Sequence, residues 1–230
     1  MQLPDTRMQA PSATSLNETP LCRWLFGAFP SSRLLADELG FAPGCCPLFE
    51  VPTTSLIPDA RGPGDIDVLV SSAKRPEAAI AFEAKRVKIS AGAFDTGLPG
   101  KLSDLRHGVQ QANLLHALGF HRSYLLVIIV TDGRQRADFN FASRGPTSEL
   151  VSIVDGFRDR DRLDPHVGIA FIEVTQPVDR EIESAGAIGV RVARDAVKLP
   201  QPVTLTNAVG ELFRRVIEPP IGNLLSERTF

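Results

Sequence analysis

Apolar positions along the chain change their period several times, and each change marks an expected element. Residues 1 to 17 are polar, contain proline and have no period, which predicts a flexible tail or an arm that orders on a partner. Short helices are expected near 20–28 and 32–39, the second with Ser31 or Ser32 placed to cap it. A loop follows from Pro43 to Pro58, interrupted by the apolar piece Leu48–Val51. Ile66–Val70 and Ala79–Val87 read as strands joined by a polar turn around Lys74, Arg75 and Pro76. Leu102, Leu105, Val109, Ala112 and Leu115 recur as on one helix face, with Ser103 or Asp104 as the cap. Tyr124–Val130 is unbroken and β-branched, the pattern of a strand covered on both faces. A polar loop over 131–146, a helix near 147–158, strands near 167–174 and 188–193 and a helix near 203–217 complete the series. The class expected is α/β: a central mixed β-sheet flanked by helices, with additions at both ends. One domain over 18–230 is expected, with its core at about 60–131 and a C-terminal extension at about 147–218.

Composition narrows the classes of function. With 43% hydrophobic and 23% charged residues, the chain can bury a sizeable core and is not a disordered one. The seven-residue run from Tyr124 to Val130 is too short to span a bilayer as a helix, which takes about 20 residues. Three cysteines, two of them adjacent (Cys45 and Cys46), form no disulfide framework, and no basic region with an apolar stretch opens the chain; the cytoplasm is the expected compartment. Lys and Arg number 25 against 27 Asp and Glu, so any nucleic-acid surface must be a local patch.

One stretch combines chemistry with strand periodicity: Gly64-Asp65-Ile66-Asp67, then Phe82-Glu83-Ala84-Lys85-Arg86. Alternation puts Asp65 and Asp67 on one face of the first strand, opposite Ile66, Val68 and Val70. Glu83 and Lys85 share a face of the second, opposite Ile80, Phe82 and Ala84. In a hairpin centred on Arg75, position 67 faces position 83, and Asp67, Glu83 and Lys85 converge. Two adjacent carboxylates repel unless a positive group lies between them. Mg²⁺ (or Mn²⁺) does so, held by one or two carboxylates while keeping positions open for water and phosphate. The Ala84 carbonyl adds a hard oxygen, and Lys85 can orient an attacking water or stabilise charge on a phosphate. This is the chemistry of metal-assisted phosphodiester hydrolysis.

These residues resemble the PD-(D/E)XK nuclease superfamily: Asp67, a turn, then Glu83-Ala84-Lys85 at the end of an apolar strand. The lead-in Gly64-Asp65-Ile66-Asp67 is similar to the Gly-Glu-Ile-Asp form of resolvase-like members. The likeness is close over 64–87 and looser to about 130, where a helix and a strand follow in the expected order. It implies a restriction-endonuclease-like core in which Asp67 and Glu83 bind Mg²⁺ and Lys85 serves catalysis. Some relatives add a glutamine on the next helix, here Gln110 or Gln111, neither with a tyrosine four residues on. Others use a glutamate from an N-terminal helix, for which Glu38 and Glu50 are the candidates, and Asp65 is expected to be a supporting or turn residue.

Seven basic residues (Lys74, Arg75, Lys85, Arg86, Lys88, Lys101, Arg106) against four acidic ones between 74 and 106 suit a phosphate backbone around an acidic centre. Arg134 and Arg136 are further candidates. The expected activity is therefore a Mg²⁺-dependent nuclease whose partner is nucleic acid, DNA first, with a second copy or a protein partner contributing to substrate choice. The alternatives are a catalytically silent binding module on the same fold and a hydrolase of small phosphate esters. No P-loop or Gly-x-Ser-x-Gly element is present, and the histidines show no zinc-motif spacing.

Overall fold

The computed structural model describes residues 17–59, 64–90, 102–132, 147–176 and 187–217. Two helices come first, α1 (Glu18–Gly27) and α2 (Ser31–Glu38). They lead into β1 (Cys46–Pro52), a one-turn helix α3 (Thr53–Leu56), β2 (Asp65–Ser71) and β3 (Ile80–Ser90). Then follow α4 (Leu102–Ala117), β4 (Arg122–Asp132), α5 (Thr147–Gly156), β5 (Gly168–Gln176), β6 (Ala187–Arg194) and α6 (Val203–Ile217).

The six strands form one sheet in chain order. β1, β2 and β3 are antiparallel, β3, β4 and β5 are parallel, and β6 returns antiparallel. Parallel neighbours need long crossovers, and α4 and α5 lie in the two that link β3, β4 and β5. The result is an α/β protein with a mixed sheet flanked by helices. No described helix is long and apolar enough to cross a membrane.

Helices cover both faces of the sheet, which accounts for the unbroken apolar run of β4: Tyr124 to Val130 are all buried. On one face Leu21, Leu25 and Phe26 of α1 and Leu35 of α2 pack over Val68, Phe82, Tyr124 and Ile172. On the other, Leu105, Val109 and Ala112 of α4 lie over Leu125, Val127 and Phe171, the face expected from their spacing. Leu205, Val209 and Phe213 of α6 close the same side over Leu69, Ala81 and Phe120. Phe82 is the hub of the first face: its ring stacks on Tyr124 at 5.4 Å and meets Phe26 edge-on at 5.4 Å and Phe41 at 6.0 Å.

Several local expectations are corrected. Ser31 does not cap α2; its hydroxyl donates to the Ala28 carbonyl at 2.8 Å and ties α2 back to the end of α1. α4 begins at Leu102, so Asp104 lies inside its first turn, where a carboxylate favours the helix dipole. β1 is a full strand rather than a short interruption, because all of Cys46–Pro52 pairs along β2 apart from Glu50, whose φ of 51° interrupts the ladder opposite Asp67. That irregularity also moves Ile66: it packs with Val51, Leu69 and Phe213 instead of with Val68 and Val70. The expected tail over residues 1–16 and the loop residues 133–146 lie outside the described residues.

Truncating the aromatic hub, Phe82→Ala, is expected to lower unfolding free energy by about 3–5 kcal/mol, read from the shift of a urea denaturation midpoint at unchanged slope.

Candidate functional site

The β2–β3 hairpin has the register expected from a turn at Arg75: Val68 pairs with Phe82, Leu69 with Ala81 and Val70 with Ile80. The two strands part there. β3 runs on beside β4 to Ser90, whereas the pairing with β2 ends at Val68 and Phe82. At this fork the Ala84 N–H, two residues beyond Phe82 on β3, donates to Asp67 Oδ2 at 2.7 Å. A side chain has replaced the ladder, and that bond aims the Asp67 carboxylate at β3.

Glu83 and Lys85 point from β3 toward α4. Glu83 is 1% exposed, and its Oε2 has no hydrogen-bond partner among the described residues. Its Oε1 accepts from Lys85 Nζ at 2.5 Å, and the same ammonium donates to the Ala84 carbonyl at 2.9 Å. Lys85 thus bridges two of the three oxygen donors expected for a metal. Lys85 reaches this position because α4 carries Gly108 above it: a Cβ there would stand 2.5 Å from Lys85 Cγ and 3.1 Å from Leu125 Cδ1.

Electrostatics follow from this crowding. Burial first, and then the neighbouring Asp67, raise Glu83 to about 8 despite the opposing ammonium. Burial raises Asp67 to about 6, against the pull of the Ala84 N–H and Lys85. For Lys85, burial works against the charge, but Glu83 and Glu18 more than offset it and hold the amine above its ordinary value. A buried carboxylate with one lone oxygen, a second carboxylate and a carbonyl is a donor set that fits a hard divalent cation. Asp67, Glu83 and the Ala84 carbonyl are the groups that could hold it.

The acid from the N-terminal helix is neither Glu38 nor Glu50 but Glu18. It stands at the first position of α1, accepts the Arg86 backbone N–H at 2.8 Å through Oε2, and has Oε1 3.6 Å from Lys85 Nζ. The contact spans 68 residues and arises from the packing of α1, so no local pattern announces it. Glu50 lies behind it, taking Thr19 Oγ1–H at 2.9 Å and Arg23 at 3.3 Å. Glu38 is exposed and precedes Leu39, whose carbonyl is held by Arg122 beside the start of β4, level with Ile80 rather than Glu83.

The two glutamines are also resolved. Gln110 donates to Asp161 at 2.5 Å on the far flank of α4, while Gln111 joins Glu18, Lys85, Arg86, Asp104 and His107 around an open pocket of about 300 Å³. Of the expected basic rim, Arg86 lines that pocket. Lys74 and Arg75 sit at the closed end of the hairpin, away from the fork, with Arg75 paired to Glu77 at 3.5 Å. Arg106 turns to Phe157, its guanidinium 5.3 Å from the ring centre. Asp65 is exposed at the start of β2, paired through its backbone with Pro52. Lys101, Arg134 and Arg136 lie outside the described residues, as does the side chain of Lys88. The cysteines are free thiols: Cys22 is buried in α1, and Cys45 and Cys46 pack at the sheet edge.

No family model and no curated protein matches the chain. Among solved structures, a protein of unknown function from Silicibacter pomeroyi matches with a TM-score of 0.31 and 16% identity, over 82% of this chain and 89% of that one. A likeness at that level carries no argument about fold or function.

The raised carboxylates set a pH dependence whose sign is fixed. Between its ordinary value of 4.5 and about 8, Glu83 holds a proton in the folded state that the unfolded chain has released. Stability therefore declines as pH rises across that interval. In chelator, wild-type Tm is expected to fall with pH over this range more steeply than that of Glu83→Gln, which should overtake wild type at the alkaline end. Parallel Tm–pH curves for the two proteins would contradict the assignment.

Proposed function

We propose that the protein is a Mg²⁺-dependent nuclease acting on DNA, built on a restriction-endonuclease-like core. The observation that carries this reading is the buried Glu83 carboxylate, with one oxygen lacking a partner among the described residues, gathered with Asp67, Lys85 and the Ala84 carbonyl at the fork of a hairpin. Support also comes from the order of elements, since α4 and the parallel strand β4 follow the hairpin as the resemblance implies.

In this reading Asp67, Glu83 and the Ala84 carbonyl hold the cation. When bound, the ion polarises a phosphoryl oxygen and lowers the pKa of a coordinated water. Lys85 leaves Glu83 and the Ala84 carbonyl and turns its ammonium to the pocket, where it faces the scissile phosphate and orients the attacking water. Glu18 restrains that movement: its carboxylate grips the Arg86 amide and stands within ion-pair distance of Nζ, so the lysine is positioned from the rear. Gly108 leaves the room for the lysine stem, and Gln111 and His107 line the approach on α4. Arg86 at the rim gives the sugar–phosphate backbone a cationic contact that carries no sequence information.

The test is cleavage of supercoiled, linear, single-stranded and branched DNA, and of RNA, with Mg²⁺, Mn²⁺ or EDTA. Metal-dependent products are expected from DNA, and Lys85→Ala should slow their formation by ~10²–10⁴-fold while the protein stays folded by circular dichroism. A folded Lys85→Ala protein that cuts at the wild-type rate would remove the mechanism. A calorimetric titration showing no Mn²⁺ binding, with or without DNA, would instead favour a silent binding module.

Gly108→Ala provides a separate check on positioning. The added methyl pushes the Lys85 stem from its seat, so cleavage should drop by about 10²-fold, a loss larger than the ~1 kcal/mol-scale stability changes usual for such a helix position would explain.

A further inference from the structure

The flank of α4 turned away from the pocket carries a second cluster. Gln110, Asn113 and His116 recur every three residues and face the segment that leads into β5. The first two rungs are closed by hydrogen bonds: Gln110 to Asp161, and Asn113 to the Arg162 carbonyl at 2.8 Å and from the Asp164 amide at 2.9 Å. The third rung is different. His116 Nε2 stands 3.8 Å from Asp164 Oδ1, too far for a hydrogen bond, and the His166 ring stacks on the His116 ring with centres 5.5 Å apart. His166 Nδ1 lies 3.0 Å from the same Asp164 oxygen.

We propose that His116, Asp164 and His166 form a Zn²⁺ site that clasps α4 to the segment before β5. One ligand atom from each residue falls within 4.8 Å of the other two. A tetrahedral Zn²⁺ with bonds of about 2.0–2.1 Å sets its ligands roughly 3.4 Å apart. The two separations at Asp164 Oδ1, 3.0 and 3.8 Å, lie on either side of that value, and closure also requires the two stacked rings to turn so that their nitrogens converge on the ion. Two imidazoles with one carboxylate select a borderline transition metal over Mg²⁺, which prefers oxygen donors.

Asp164 Oδ1 also accepts the His166 backbone N–H at 2.8 Å, so the carboxylate is held within the turn that carries His166. Zn²⁺ would take the Nδ1 lone pair of His166 in place of the present hydrogen bond, leaving that ring's proton on Nε2. Three protein ligands leave a fourth position for water at a surface where the His166 side chain is 50% exposed. The three residues are separated by 48 and 2 positions along the chain, and the α4–β4–β5 connection brings them together.

Calorimetry with Zn²⁺ on the full chain tests this, using Asp67→Ala as background so that the acidic fork does not compete. One equivalent is expected to bind, with an affinity reduced at least tenfold by His116→Ala and by His166→Ala, each folded by circular dichroism. Mg²⁺ should not compete for it. X-ray absorption of the zinc complex should report nitrogen and oxygen neighbours without sulfur. Absence of that equivalent, unchanged affinity in both histidine variants, or a sulfur shell pointing to Cys45 and Cys46 would overturn the proposal and leave the cluster as a histidine–aspartate ion pair.

Discussion

A carboxylate with 1% exposure in a sheet whose buried side chains are mostly apolar is the constraint on which the site depends. Removing such a group from water costs several kcal/mol unless charge and hydrogen bonds are returned to it. Around Glu83 the chain returns both in part. Lys85 supplies a donor, Asp67 holds the adjacent amide, and Glu18 steadies the lysine from a helix at the start of the described chain. What is not returned, among the described residues, is a partner for Glu83 Oε2.

This arrangement requires the strands to part. A continuous β2–β3 ladder would engage the Ala84 amide with backbone and leave Asp67 no reason to turn inward. The positive φ of Glu50, which faces Asp67 from β1, marks where the regular sheet gives way. It also explains why Ile66 packs away from Val68, although strict alternation puts the two together. The site lies where the sheet's own rules lapse, and strain or irregularity concentrated at such a place is a familiar property of functional sites.

Much of this could be read from the chain before the fold was known, for identifiable reasons. The register of the hairpin follows from a polar turn between two apolar runs, and it alone brings Asp67, Glu83 and Lys85 together. α4 was legible because Leu105, Val109, Ala112 and Leu115 repeat at helical spacing. What escaped were contacts between elements distant in sequence. Glu18 reaches the site only once α1 has docked on the sheet, and Gln110 is separated from Gln111 by the rotation of α4, which packing decides. His116 and His166 carry no motif because the crossover that joins them is tertiary. Lys74 and Arg75 looked close to the acidic pair when counted in residues, but a hairpin puts its turn at the end farthest from its fork.

The ammonium of Lys85, lying between Glu83 and the Ala84 carbonyl, has a consequence for how the molecule comes into being. A zinc finger must wait for its ion, since its ligands gather only around the metal. Here the ammonium that donates to the acid belongs to the same strand, two residues away. The sheet can close around Glu83 with a hydrogen-bond partner drawn from its own strand.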